Sequence, residues 1–346
     1  MKIGIDSRPM YGKPAGIGLY VKNLVENFRG MEGMELVEFG PQEPKILWHL
    51  KTYFSILFSK RVDYYLSTHS YLIPSFPFVN SILVVHDLSV CLFPKEYPFK
   101  LVIMTKFFLK IALIRSKHII VPSNSTKYDL VKLFKISPRK ISVVYHGIEP
   151  YSGEITLPKM LKDTHFCLFI GTIQPRKNLV FLLKAYSNLI KSFEGKSIKL
   201  VICGNKGWKY QEIFETVDFL NLKGKVIFEG YVSESEKFGL YKNAVFLVLP
   251  SVYEGFGLPV VEAFYSGCPV VCSNIDSLKE IGGNASLYFD PRNQRELEKQ
   301  MGKVFSYYFN KDFKYQELIL KGRERSKLFS WEKTANETFN VIKSIK

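Results

Sequence analysis

The sequence predicts an α/β protein of two domains, each a parallel sheet wrapped by helices. Three observations predict it. The chain has 346 residues, about twice the length of a usual single domain. Short β-rich runs alternate with longer stretches of helical periodicity, and that alternation is interrupted once, near the middle. In the first half the strand candidates are Lys2 to Asp6, Glu35 to Phe39, Asp63 to Leu66, Ser81 to Val85, His118 to Val121 and Ile141 to Val144. In the second they are Phe166 to Ile170, Ile198 to Cys203, Lys225 to Phe228, Val245 to Leu249, Pro269 to Cys272 and Ser286 to Phe289. Several are unbroken apolar runs, as strands buried on both faces should be. Between the halves, Glu149 to Thr164 carries Pro150, Gly153 and Pro158 with little periodicity, which places a linker there. The predicted domains are residues 1–155 and 156–330, and a last helix runs over 331–346 with Ser330 as its cap.

Hydrophobic residues make up 47% of the chain and charged residues 23%, a globular composition without the bias that marks disorder or fibres. The formal net charge is +16. Nucleic acid, phosphorylated ligands and anionic lipid all attract a basic surface, so location separates them better than magnitude. Between Lys45 and Lys117 ten Lys or Arg face three acids (Asp63, Asp87, Glu96), which puts +7 of the total in that window. A nucleic-acid partner would need cations aligned with stacking aromatics or a recognised module, and the sequence offers neither. Five cysteines, Cys91, Cys167, Cys203, Cys268 and Cys272, are an odd number and read as reduced core residues. Met1 to Asp6 reads directly as a strand rather than as a signal peptide. Phe107 to Ile114, flanked by Lys106 and Arg115 and broken by Lys110, falls well short of the roughly 18 apolar residues of a spanning helix. A cytoplasmic protein is expected.

Ligands of open parallel sheets bind beyond the carboxyl ends of the strands, and the unusual residues of this sequence fall there. After the first strand a long loop is predicted to hold Gly16 and Gly18; His86 and Asp87 follow the fourth strand, and His146 and Gly147 the sixth. In the second half Gly171, Arg176 and Lys177 follow one strand and Gly230 to Ser233 another. The most informative stretch is Pro250 to Glu262, PSVYEGFGLPVVE. Pro259 suits a first helical position, so the amides of Gly257 and Leu258 become donors at a helix N-terminus suited to diphosphate. Gly255 and Gly257 permit close backbone approach. Glu254 falls in the loop and Glu262 in the predicted first turn, a pair suited to sugar hydroxyls; two solvated acids are the rival reading. Arg176 and Lys177 follow Pro175 at a predicted helix start, where cations oppose the dipole and a diphosphate would account for them; a solvated basic pair is the alternative. The sequence holds no Asp-x-Asp, so leaving-group charge is expected to be met by Arg, Lys and backbone donors, without metal or cofactor. His86, the first polar residue after an apolar strand, is either a site residue or a satisfied core-edge histidine.

These residues resemble the family 4 glycosyltransferases, retaining enzymes of the GT-B fold. The resemblance runs from the early Gly-Ile-Gly loop to the terminal helix, and its most specific parts are GTIQPRKNL (Gly171 to Leu179), FEGYVSESE (Phe228 to Glu236) and PSVYEGFGLPVVEA (Pro250 to Ala263). It implies two Rossmann-like domains facing across a cleft, the first for acceptor and the second for nucleotide sugar, with the C-terminal helix crossing back to the first. It further implies that Glu254 binds donor hydroxyls, Glu262 the ribose, and Arg176 and Lys177 the diphosphate. Tyr231 and Val232 would border the base, and Phe256 falls within the same glycine-rich motif as Gly255 and Gly257. Gly16 would bring amides to the phosphates, and His86 would lie beside the transferred sugar. YHGIE at Tyr145 to Glu149 departs from the family's commoner Pro-Asn-Gly-Val-Asp, which weakens His146 as a site residue.

The expected reaction is retaining transfer of a hexose from a nucleotide diphosphate, GDP-mannose before UDP-hexose, to a hydroxyl of a glycan or lipid-linked acceptor. A sugar-nucleotide binder or epimerase without transfer is the rival within the fold. The Lys45 to Lys117 window suggests docking on an anionic membrane. There Ile46 to Arg61 is the favoured interfacial helix, with aromatics between cations, whereas the apolar surface of Phe99 to His118 is read mostly as core, with Lys106, Lys110 and Lys117 on one narrow face.

Overall fold

A computed structural model describes residues 1–12, 16–40, 45–59, 61–193 and 195–345. Among them run twelve strands in two parallel six-stranded sheets. β1 (Lys2–Asp6), β2 (Glu35–Phe39), β3 (Tyr64–Ser67), β4 (Ser81–Val84), β5 (His118–Val121) and β6 (Ile141–Val143) form the first, in the order β2-β1-β3-β4-β5-β6. β7 (His165–Ile170), β8 (Ile198–Cys203), β9 (Val226–Gly230), β10 (Phe246–Leu249), β11 (Val270–Ser273) and β12 (Ser286–Phe289) form the second, in the order β12-β11-β10-β7-β8-β9. Every strand candidate is present within a residue or two at each end. The α/β class follows from strands buried on both faces: Ile82, Leu83, Leu168, Phe169, Leu247 and Val248 are wholly shielded from solvent, because helices cover both faces of each sheet.

The chain divides into two compact units, Met1–Glu149 with Phe329–Lys346, and Pro150–Leu328. Residues 154–156, within the stretch read as a linker, are fixed to the second unit: Ser235 Oγ donates to the Glu154 carbonyl at 2.6 Å and accepts from the Thr156 amide at 3.2 Å. The last helix, Trp331–Ser344, belongs to the first unit. The Ser330 hydroxyl accepts from the Lys333 amide at 3.1 Å, capping it, and Thr334 Oγ1 donates to the Tyr145 carbonyl at 2.7 Å. Gly147 is required by this docking, since a Cβ there would stand 2.1 Å from the Trp331 nitrogen.

Several expectations need correction. Gly18 is not in a loop but buried in the helix Ile17–Phe28, which Gly16 starts at φ +51°. Ile46 to Arg61 is not one helix: Lys45–Phe54 is α-helical and Ser55–Ser59 is a π-helical turn, with residue 60 outside the described residues. Trp48 is buried rather than interfacial; its Nε1 donates to the Gly40 carbonyl at 2.8 Å and the Arg8 guanidinium lies 3.2 Å above its ring. The helix Phe99–Arg115 ends before Lys117, and only Val102, Leu109, Ala112 and Leu113 are buried from it, so much of its apolar surface is exposed rather than core.

Candidate active site

Strand order explains where the second unit gathers its polar residues. β7, β8 and β9 run outward in sequence, and the chain then returns so that β10 pairs with the other side of β7. At such a reversal the segments leaving two neighbouring strands diverge to opposite faces of the sheet and open a crevice at their carboxyl ends. The segment after β7 carries Gly171, Arg176 and Lys177; the segment after β10 carries Ser251 and Glu254. The two are fastened backbone to backbone, the Val252 amide donating to the Arg176 carbonyl at 3.0 Å. The segment after β8 also packs closely on the one after β7, at Gly204, where a Cβ would fall 2.0 Å from the Gly171 oxygen.

Arg176 and Lys177 occupy a 3-10 turn, Pro175–Lys177, rather than the start of the next helix, which begins at Leu179 after a left-handed Asn178. Both side chains turn inward onto Glu254. Arg176 Nη1 donates to Glu254 Oε2 at 3.1 Å and to the Tyr253 carbonyl at 2.6 Å, and Lys177 Nζ donates to Glu254 Oε1 at 2.5 Å. Ser251 Oγ donates to the same Oε1 at 2.6 Å. All three charged groups are buried, so the solvated-pair readings fall. Burial pushes the Glu254 carboxyl up, but the charges of Lys177 and Arg176, with hydrogen bonds from Lys177 and Ser251, outweigh it and hold its pKa at about 2.

Glu262 forms a second centre. The helix Leu258–Tyr265 starts from Gly257 at φ +109°, so Leu258 is its first residue, Pro259 its second, and Glu262 lies in the second turn rather than the first. Lys237 Nζ donates to Glu262 Oε1 at 2.7 Å and Tyr241 OH to Oε2 at 2.9 Å. Lys237 also pairs with Glu234 at 2.9 Å; burial would lower its pKa, and the two carboxylates more than reverse that. Ser233 caps the helix Glu234–Asn243 in a capping box with Glu236. Tyr231 is exposed and Val232 half-buried just before it, while Gly255 and Phe256 are buried behind Glu254. Lys237, Tyr241 and Ser251 were not singled out from sequence. Lys237 sits just past the glutamate-rich FEGYVSESE stretch, and its spacing from Glu234 is the usual mark of a solvated pair.

In the first unit His86 and His146 meet beside Tyr20. His86 Nε2 stands 2.9 Å from the Thr68 carbonyl, which only a protonated nitrogen can satisfy, so Nδ1 is the acceptor and faces His146 Nε2 at 3.4 Å. Burial lowers the His86 pKa to about 4, against smaller opposing effects of the Thr68 carbonyl and Asp87. His146 is likewise driven well below the ordinary histidine value by burial and then by His86. Both are therefore neutral imidazoles at neutral pH.

Residues 158–319 match the family model for glycosyl transferases group 1, and residues 32–151 that for glycosyltransferase family 4. The O-antigen chain mannosyltransferase B of Escherichia coli is 30% identical over 273 residues, 76% of this chain and 70% of that protein. The chain belongs to glycosyltransferase family 4. The O-antigen chain mannosyltransferase RfbU of Salmonella typhimurium is also 30% identical, over 65% of this chain and 61% of that one. Among solved structures, sucrose-phosphate synthase from Thermosynechococcus elongatus superimposes with a TM-score of 0.78 at 19% identity, over 99% of this chain and 98% of that one. HepE of Anabaena, solved with UDP and glucose, gives 0.78 at 15% identity, over 99% and 100%. These likenesses place the glycosyltransferase in the GT-B fold class. Among its described residues no helix is long and apolar enough to cross a membrane.

Proposed function

We propose that this glycosyltransferase moves mannose, with retention and without a metal ion, from GDP-mannose to a hydroxyl of a glycan or lipid-linked acceptor; a UDP-hexose ranks next as donor. The observation that carries the reading is the buried cluster of Arg176, Lys177 and Glu254 at the strand-order reversal of the second sheet. Two cations meet one carboxylate there, leaving positive charge for a departing diphosphate in surroundings that amplify it. The sequence lacks an Asp-x-Asp pair that would hold a divalent ion. The names of the relatives support mannose and a polysaccharide acceptor.

Glu254 is a poor nucleophile in this setting. A carboxylate held at about 2, with both oxygens engaged by Lys177, Ser251 and Arg176, has little basicity to offer an anomeric carbon. That supports front-face substitution: the acceptor oxygen bonds to the anomeric carbon as its bond to phosphate breaks, and the acceptor proton passes to the leaving phosphate. Glu254 then orients donor hydroxyls and keeps Arg176 and Lys177 in place. Glu262, braced by Lys237 and Tyr241, takes the ribose diol.

The test combines binding with turnover. GDP should raise the melting temperature more than UDP does, and product NMR should show the anomer of the donor retained, with activity unaffected by EDTA. Arg176→Ala should reduce kcat by roughly a hundredfold while changing nucleotide affinity by less than about tenfold, as expected for a group that acts on charge developing in the transition state. Equal losses in both, or inversion at the anomeric carbon, would refute the mechanism.

A further inference from the structure

The helix Phe99–Arg115 is apolar on two opposite faces. One, with Val102, Leu109, Ala112 and Leu113, is buried in the first unit's core beside Leu83, Val85 and Leu88. The other carries Ile103, Met104, Phe107 and Ile114, exposed at 51 to 63% of their surface. Lys100, Ile103, Phe107, Lys110 and Ile114 follow one another at intervals of three and four residues, so they form a single stripe along that outer face. Lys106 and Arg115 are also exposed, and the helix contains no acid to pair with its four cations.

Neighbouring segments extend this surface. Ser75 Oγ, at the end of the short helical turn Leu72–Ser75, donates to the Phe108 carbonyl at 3.1 Å, and the Phe76 ring packs on Tyr53 at 5.0 Å. The turn carrying Phe78 therefore adjoins both Phe99–Arg115 and Lys45–Phe54. Phe78 is 86% exposed and held at φ +62°, an unfavourable conformation for a bulky residue that no packing contact of an exposed ring would repay. Phe54 and Phe58, stacked at 6.3 Å, are exposed at the end of the neighbouring segment.

We propose that this face docks on an anionic lipid bilayer, with Ile103, Phe107, Ile114 and Phe78 entering the headgroup boundary while Lys100, Lys106, Lys110 and Arg115 meet lipid phosphates. Charge complementarity selects the occupant. A second copy of the chain would bring an equally cationic, acid-free stripe against this one, whereas lipid supplies anions beside an apolar phase. Lysine stems long enough to lie along apolar surface while the ammonium stays in the headgroup layer suit the same boundary. The stripe lies on a helix whose apolar surface the sequence assigns mostly to the core, and in the neighbouring segment Ile46 to Arg61, which the sequence favours for this role, Trp48 turns inward. The inference is independent of the donor and the reaction, because its test requires no turnover.

The full chain is sedimented with vesicles of phosphatidylcholine alone and of phosphatidylcholine mixed with phosphatidylglycerol, at low and high salt. Binding is expected only to the mixed vesicles, weakened by salt. Lys100→Glu with Lys110→Glu should weaken it at least about tenfold, each lost cation near the surface being worth roughly a factor of five, and Ile103→Ser with Phe107→Ser should do so without changing the salt dependence. Phe219→Ser, an exposed aromatic of the second unit, should leave binding unchanged. Circular dichroism establishes that each variant is folded, and the charge pair keeps the test decisive should the apolar pair fail. Absence of binding to mixed vesicles, binding indifferent to both double variants, or a concentration-dependent dimer abolished by Phe107→Ser in place of vesicle binding would overturn the proposal. Free inorganic phosphate competing away all binding would overturn it as well.

Discussion

Replacing Glu254 by Gln puts a number on the buried network, because a glutamine mimics the protonated carboxyl in size and shape while removing its charge. The folded protein holds this carboxyl at about 2 against an ordinary 4.5. At roughly 1.4 kcal/mol for each tenfold change in proton affinity, that difference amounts to about 3 kcal/mol favouring the ionised form in the fold. The same size is expected when one partner of a buried ion pair is deleted and the other is left uncompensated, about 3 to 5 kcal/mol. The sign follows from linkage: the folded value lies below the unfolded one, so the stabilisation is complete above about 4.5 and is lost as pH falls toward 2. Glu254→Gln should therefore be less stable than the parent by about 3 kcal/mol at pH 7 and by only about 1 kcal/mol at pH 3. For a unit of this size the melting temperature should fall by roughly 6 to 12 °C at pH 7. The transition to follow is that of the unit Pro150–Leu328, in urea or by calorimetry, since the two units need not melt together. A deficit below about 1 kcal/mol at pH 7, or one that does not shrink with acid, would show that Glu254 is not the centre of the network.

Lys237→Met should leave Glu262 buried with only Tyr241 as partner, raising the dissociation constant for free nucleotide by about tenfold and lowering stability by roughly 3 kcal/mol; unchanged nucleotide affinity would separate Glu262 from the donor. Tyr241→Phe, which removes a neutral donor, should cost about 1 kcal/mol in the same melt. His86 should titrate near 4 by NMR, so activity should show no ionisation from it between about pH 5 and 8. Its lowered value means that burial stabilises nothing extra above about 6.5 and that stability declines as pH falls from there toward 4; a midpoint near 6.5 in the folded protein would refute the buried, neutral assignment.

The sheets were legible in the sequence because strands buried on both faces must be apolar throughout, as several of the twelve runs are, and because the runs are bounded by glycine, proline or polar residues. Helix ends were less so: whether Leu258 or Pro259 leads depends on the φ +109° that Gly257 adopts, which spacing does not reveal. Gly18 looked like loop because it closely follows Gly12, Pro14 and Gly16, and glycine disfavours a helix interior. The helix Phe99–Arg115 exposes a limit of periodicity itself. When apolar residues occupy opposite faces the pattern has no preferred direction, and only the fold tells which face meets the core.

The individual site residues stood out in the sequence, but their pairing did not. Lys177 and Glu254 lie 77 positions apart, and an acid eight positions before Glu262 reads equally well as one more surface charge. What joins them is the order of strands. Because β8 and β9 are laid outward and β10 returns beside β7, segments distant in sequence leave adjacent strand ends, and their side chains must either neutralise one another or repel. The same return brings the helix after β9 against the helix after β10, so that Lys237 meets Glu262. A cation spaced for a solvated pair with Glu234 thereby becomes a buried one, and the candidate site of the second unit is built from two such conversions, each dictated by topology rather than by any local motif.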